Sequence, residues 1–183
     1  EVIQVKDAAG VAATISSSLL SGKTITVKAD AHTGTDTKLV VEGLSDTTTI
    51  DLSTVTIDKS ITNAIDLVEI TSATATSAVT ITGTSTADTI TGGAKGDTIV
   101  AGNGEDTITG GAGNDTINIT ETTANQVKDT ILFETAATNG QDTIIGFKSG
   151  TDKLSLVNAD TTAGTVAGAA AVDYFSAALT NGA

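Results

Sequence analysis

Carboxylates recur at every ninth residue in the middle of this chain, at Asp88, Asp97, Asp106 and Asp115. Two positions after each comes an isoleucine: Ile90, Ile99, Ile108 and Ile117. The four blocks between Gly83 and Asn118 read GTSTADTIT, GGAKGDTIV, AGNGEDTIT and GGAGNDTIN. The last fits Gly-Gly-x-Gly-x-Asp-x-apolar-x at every position, a period whose physical reading is a parallel β-helix that binds calcium. The chemistry open to such a set is capture of a hard cation, because Ca²⁺ accepts carboxylate and backbone carbonyl oxygens together. A plain solenoid with solvated aspartate turns would not require Gly and Asp together at a fixed phase.

The elements that must position these groups follow from the period. Each block divides into a turn ending at Asp and a short strand centred on Ile, so two blocks complete one flattened coil. Glycines permit the positive φ angles and close backbone approach of a tight turn. The central Ile points into a narrow interior. Turns two blocks apart then stack at roughly 4.8 Å, which places Asp97 over Asp115 and Asp88 over Asp106. Two carboxylates that close repel by about 3 kcal/mol at an effective dielectric near 20. A bound cation relieves that repulsion.

The Asp-Thr-Ile element recurs beyond the blocks, at Asp129-Thr130-Ile131 and Asp142-Thr143-Ile144. If coils keep alternating sides, Asp129 stacks over Asp106 and Asp142 over Asp115, leaving Asp115 between Asp97 and Asp142. Phe133 and Phe147 follow these strands and are expected to plug the open end of the solenoid, which otherwise exposes edge strands. Gly150–Leu154 makes a last turn into a strand at Leu154–Val157.

Upstream, Val2–Val5 alternates as a strand. Asp7 is expected to cap a helix from Ala8 to Leu20, with Val11, Ile15 and Leu19 on one face and Gly22 as its stop. Five apolar alternations then follow, Thr24–Ala29, Leu39–Leu44, Thr48–Ile57, Ala64–Ile70 and Val79–Thr82, which read as solenoid rungs or a small β-domain. Val79 and Ile81 lead into Ile90 with no linker-like segment, so the apolar interior is expected to run on into the repeats. The tail from Ala163 is rich in Ala and Gly, with a short helix expected at Ala169–Leu179.

Composition agrees with an all-β solenoid. Hydrophobic residues make up 39% of the 183, yet aromatics are only 2%. A thin interior uses Ile, Val, Leu, Ala and Thr in their place, and about a fifth of the chain is Thr; such β-branched abundance favours strands. A net charge of −13 argues against nucleic-acid and anionic-membrane partners. All nine basic residues are Lys, leaving no Arg for bidentate phosphate recognition. With no Cys there is no disulfide staple, and calcium is the obvious substitute outside a cell. No apolar run is long enough for a transmembrane segment, and no signal peptide stands at the amino terminus.

The blocks at 83–118 resemble the calcium-binding nonapeptide repeats of the repeats-in-toxin (RTX) proteins. The stretch from Asn139 to Leu156, NGQDTIIGFKSGTDKLSL, looks like the segment that usually follows such repeats. The resemblance implies a β-roll folded by Ca²⁺, with about three to four ions. The implied ligands are the carboxylates of Asp88, Asp97, Asp106, Asp115, Asp129 and Asp142, with carbonyl oxygens of Gly92, Gly93, Gly102, Gly104, Gly110, Gly111 and Gly113. It also implies type I secretion by a Gram-negative bacterium, with folding only outside the cell. Departures are visible: Thr84 and Thr86 stand where Gly is expected, so the Asp88 site is weak or capped, and Lys95 replaces a third Gly.

The Thr-rich, Cys-free rungs upstream look similar to bacterial surface-layer (S-layer) proteins of the RTX type. The expected organisation is a β-rich region with an N-terminal helix at 1–82, a calcium β-roll with capping strands at 83–157 and a tail at 158–183. The chain then reads as a fragment of a secreted, cell-surface lattice protein that self-associates, while another part of the parent protein contacts outer-membrane lipopolysaccharide. The alternatives are a module of a large calcium-stiffened adhesin, or the C-terminal secretion module of an exported hydrolase. An enzyme is not expected. His32 is the only His and reads as a surface-turn residue. There is no His-Glu-x-x-His motif, no Gly-x-Ser-x-Gly elbow and no Walker-type loop. Carboxylates alone could serve glycoside hydrolysis, but no pair stands out and a sugar platform of aromatics is lacking.

Overall fold

A computed structural model of the chain describes residues 2–5, 13–29, 37–43, 47–58, 65–122, 127–133 and 140–156. The upstream elements are β1 (Val2–Val5), β2 (Ala13–Ser16), α1 (Ser17–Leu20), β3 (Ile25–Ala29), β4 (Thr37–Glu42), β5 (Thr49–Asp51), β6 (Val55–Asp58) and β7 (Ile65–Thr71). Then come β8 (Thr80–Thr82), β9 (Asp88–Thr91), β10 (Thr98–Val100), β11 (Thr107–Thr109), β12 (Thr116–Asn118), β13 (Thr130–Phe133), β14 (Thr143–Ile145) and β15 (Lys153–Leu156). Every pairing among them is parallel, and no two strands adjacent in sequence pair with one another. The chain therefore winds as a parallel β-solenoid, a β-roll in the repeats.

Two kinds of coil are joined. In the upstream half the chain visits three sheets in turn: β1-β3-β6, then the sheet that starts β2-β4-β7, then the sheet that holds β5 and β8. From β9 onward only two sheets continue, ending β9-β11-β13-β15 and β8-β10-β12-β14. The coil shortens accordingly. Ile25 pairs with Val55, 30 positions on, whereas Ile81 pairs with Ile99, 18 on. One apolar core nevertheless runs through both halves, from Leu20 and Val27 through Ile50, Ile70, Ile81, Ile90, Ile99, Ile108, Ile117 and Ile131 to Phe133.

In the two-sided coils of the repeats the interior admits one aliphatic side chain per strand. Ile81, Ile99, Ile117 and the partly buried Ile144 form one row, and Ile90, Ile108, Ile131 and Leu154 form the other. Burying such an Ile is worth about 2 kcal/mol, and β-branching suits the extended backbone. Phe133 is buried at the late end of this core, and Phe147 packs partly against it.

Two expectations are corrected here. Among the described residues of the expected helix only α1 is helical, because Ala13-Thr14-Ile15-Ser16 extends and pairs with Leu39–Glu42. Four-residue spacing of Val11, Ile15 and Leu19 imitated a helical face; in fact Leu19 is 56% exposed and Leu20 is buried. Asp7 and residues 8–12 lie outside the described residues. The N-cap is Ser16, with no capping side-chain bond, and Gly22, at φ +66°, follows in the turn. The expected strand Thr48–Ile57 is two strands, β5 and β6, in different sheets. Asp51 makes the corner between them: its Oδ1 accepts the Ser53 N–H (3.0 Å) and hydroxyl (2.7 Å), a local bond that competes with continued extension. His32 and the expected helix Ala169–Leu179 fall outside the described residues.

Candidate metal centre

The strand register brings the aspartates into two columns. One contains Asp88, Asp106, Asp129 and Asp152; the other contains Asp97, Asp115 and Asp142. Asp88, Asp97, Asp106, Asp115 and Asp129 are each no more than 2% exposed. The expected stacking of 97 over 115, 88 over 106, 129 over 106 and 142 over 115 is the one observed.

The stacking does structural work before any cation enters. In every aspartate of the columns after Asp88, Oδ1 accepts the backbone N–H of the residue one coil earlier in its column. Asp106 thus takes Asp88 (2.8 Å), Asp129 takes Asp106 (3.0 Å) and Asp152 takes Asp129 (3.1 Å). On the other side Asp97 takes Val79 (2.8 Å), Asp115 takes Asp97 (2.7 Å) and Asp142 takes Asp115 (3.0 Å). The carbonyls of the same residues receive the next coil's first strand amide, as in Thr116 N–H to Asp97 O (2.8 Å) and Thr143 N–H to Asp115 O (2.7 Å). Backbone groups that a turn would leave buried and unpaired are satisfied in this way. The sequence argument credited the aspartates to repulsion relieved by a cation and missed this role.

The second carboxylate oxygen separates two classes of turn. In the turn before Asp88, Oδ2 accepts the Thr84 N–H (2.7 Å), and the Thr84 hydroxyl donates to Oδ1 (3.0 Å) and Oδ2 (3.2 Å). Before Asp97 the Gly93 N–H fills the same place (2.6 Å), and before Asp152 the Lys148 N–H does (2.7 Å). At Asp106 and Asp115 the corresponding residues are Gly102 and Gly111, with φ of +110° and +100°. There the buried Oδ2 atoms of Asp106 and Asp115 have no hydrogen-bond partner. An unpartnered buried carboxylate oxygen is costly.

Carbonyl oxygens stand close to these turns. A Cβ at Gly102 would overlap the Thr84 carbonyl, and one at Gly111 the Gly93 carbonyl. Likewise the carbonyls of Ala101 and Gly110 face Gly83 and Gly92, and a Cβ at Gly110 would overlap Asp115 Oδ2. Gly104 and Gly113 hold φ of +122° and +114° against the backbone of the coil before. Among the described residues no three Asp, Glu, His or Cys side chains converge as a metal cluster. A cation here would therefore draw on one or two carboxylates and several carbonyls, a donor set that suits calcium.

Electrostatics agree. Burial first, then the neighbouring Asp88, Asp129 and Glu121 charges, push the Asp106 pKa up to about 8, against one backbone hydrogen bond that lowers it. Burial, then Asp142 and Asp97, raise Asp115 to about 7. Burial, with Asp152, Glu121 and Glu105, raises Asp129 to about 6. These carboxylates resist ionising without a positive partner.

Thr84, which stands where Gly is expected, closes the first turn with its hydroxyl. Sequence reasoning missed two contributors. Asp152 repeats the spacing Asp-x-apolar through Lys153 and Leu154, and that signal was available. Glu121 reaches Gly104 N–H with its Oε1 (3.1 Å); it lies after the last repeat, where the period could not point to it.

Residues 82–117 match the family model of the RTX calcium-binding nonapeptide repeat, in four copies. No curated protein and no solved structure gives a significant match.

Proposed function

We propose that this chain is a calcium-folded structural segment of a secreted bacterial surface-layer protein. The observation that carries the calcium reading is the pair of buried, unpartnered Oδ2 atoms of Asp106 and Asp115, set in turns that match a calcium-binding nonapeptide repeat. Asp106 and Asp115 would each hold an ion in their own column, with carbonyl oxygens of Thr84, Gly93, Ala101 and Gly110 among the partners. When bound, calcium supplies the positive charge that lets these buried carboxylates ionise. Asp88, Asp97, Asp129 and Asp142, with the turn glycines at 92, 93, 102, 104, 110, 111 and 113, complete the sites at three to four ions.

RTX repeat proteins are typically secreted, their β-roll is a structural rather than catalytic unit, and no helix among the described residues is long and apolar enough to cross a membrane. The lattice reading rests on the strand-rich 1–82 region feeding one apolar core into 83–157, with 158–183 as a tail. Without divalent cations, acidic copies repel; with them, the flat Thr-rich faces can pack laterally. Light scattering and electron microscopy of the parent protein across a calcium titration should show ordered sheets above a threshold, with Mg²⁺ a poor substitute. A parent that stays monomeric at millimolar-scale calcium, or binds a defined glycan, hands the argument to the adhesin reading.

A further inference from the structure

The two turns with an unpartnered aspartate oxygen differ in what clasps them. Beside the Asp115 turn, Asn114 Oδ1 accepts the Gln141 N–H (2.9 Å), a neutral contact from the coil above. Beside the Asp106 turn the connection is longer, since β12 ends at Asn118 and β13 begins at Thr130. From its first residues Thr122 donates to Asn103 Oδ1 through N–H (2.9 Å) and hydroxyl (2.7 Å), and the half-buried Glu121 accepts the Gly104 N–H (3.1 Å). Asn103 and Gly104 belong to the turn that ends at Asp106, so the segment is pinned to that turn at two successive residues. Glu121 is near enough for its charge to act on both Asp106 and Asp129.

We propose that Glu121 is a calcium-affinity determinant specific to the Asp106 turn, an acid from outside the repeats that makes this site the tighter of the two. The inference rests on the calcium reading above. The warrant is the conjunction of a pinned Glu121 carboxylate and a buried Asp106 Oδ2 that has no hydrogen-bond partner among the described residues. Added negative charge strengthens a cation site, and groups that orient a ligand from just outside it change metal affinity by about 10- to 100-fold.

The test is an NMR calcium titration of the chain, following the Gly104 and Gly113 amides, which occupy equivalent places in the two turns. In the unmodified chain Gly104 should reach its midpoint at lower calcium than Gly113. E121Q keeps an oxygen able to accept the Gly104 N–H but removes the charge. It should raise the Gly104 midpoint about 10- to 100-fold and leave Gly113 nearly in place, while the control E42Q, an exposed acid on β4, moves neither. An unchanged Gly104 midpoint in E121Q, or a loss seen only in E121A, reduces Glu121 to a clasp and overturns the proposal, as does an equal shift at both glycines. Should E121Q fail to fold, ionic strength gives a second reading on the unmodified chain: affinity at Gly104 falls more steeply with salt than at Gly113, and equal slopes overturn the idea. Silence of both glycines toward calcium defeats the calcium reading itself, a different outcome.

Discussion

Three-sided coils and two-sided coils share one core here but hold themselves together differently. Upstream, each long coil encloses several aliphatic side chains, such as Leu39, Val41, Ile50, Leu52, Val55 and Val68. Two ion pairs stand on its surface, Lys28 with Asp58 (3.0 Å) and Lys38 with Glu69 (2.6 Å). In the repeats, each strand buries a single Ile and each turn leads into a buried Asp. A thin coil gains little from hydrophobic burial per residue and cannot surround its turn backbone with side chains. It therefore uses carboxylates to satisfy buried amides, and in two turns carries a charge that the protein alone does not balance. The wide coils are stabilised by area; the narrow ones depend on buried turn carboxylates, two of which keep an Oδ2 without a hydrogen-bond partner.

The largest break in that comparison should come from chelation. In excess chelator residues 83–156 are expected to lose strand structure, while amide protection in β3, β4 and β7 persists longer, because among the described residues their core contains no buried acid. Hydrogen exchange by mass spectrometry reads both halves at once. Uniform retention, or loss of both halves at identical chelator, would erase the distinction.

Next in size is a pair of glycine substitutions. Gly111→Ala places a methyl at φ +100° against the Gly93 carbonyl, which should cost more than about 3 kcal/mol through strain and forced separation of coils. Gly22→Ala sits at φ +66° with open space around it and should cost only about 1 kcal/mol. Chemical denaturation in calcium compares them, and similar losses would mean that close coil stacking is not what the repeat glycines provide.

Acidity probes the buried charge more gently. Without calcium the folded-state pKa values of Asp106, Asp115 and Asp129 lie at about 8, 7 and 6, above the ordinary 3.8. Groups raised in the folded state contribute stability that is full below the ordinary value and lost as pH climbs through the raised ones. The calcium-free repeats should thus be better folded near pH 4 than near pH 8. Calcium binding near pH 6.5 should release protons, with affinity rising toward pH 8 and then levelling. Calorimetry in buffers of different ionisation enthalpy counts those protons; none released at pH 6.5 would show that the aspartates are already ionised.

The smallest effect belongs upstream. Lys38→Ala removes a partly exposed ion pair with Glu69 and should change stability by no more than about 1 kcal/mol, measured by thermal melting. A loss of several kcal/mol would place charge, not apolar area, at the centre of the wide coils too.

The nine-residue period was sufficient to derive the two-sided roll, its register and its aspartate columns, because each repeat is a local unit whose glycines, Asp and Ile leave one way to stack. Even the closed first turn was visible in Thr84 standing where Gly is expected. Upstream the same kind of reading found strands at β1, β3, β4 and β7 but not their third sheet, since alternation says which side of a strand is apolar and not where a coil turns its corner. For that reason β5 and β6 merged into one expected strand until Asp51 and Ser53 were seen to make the bend, and Ile15 passed for helix until its pairing with Val41 appeared. Which aspartates remain unpartnered was a tertiary matter as well. Asp97 and Asp115 look alike in sequence, yet the Gly93 N–H bonds one Oδ2 and Gly111, turned to positive φ, leaves the other without a partner. Glu121 belongs to the same class: only folding brings a residue beyond the repeats to Gly104, because proximity across stacked coils is set by the winding of the chain and has no local signature.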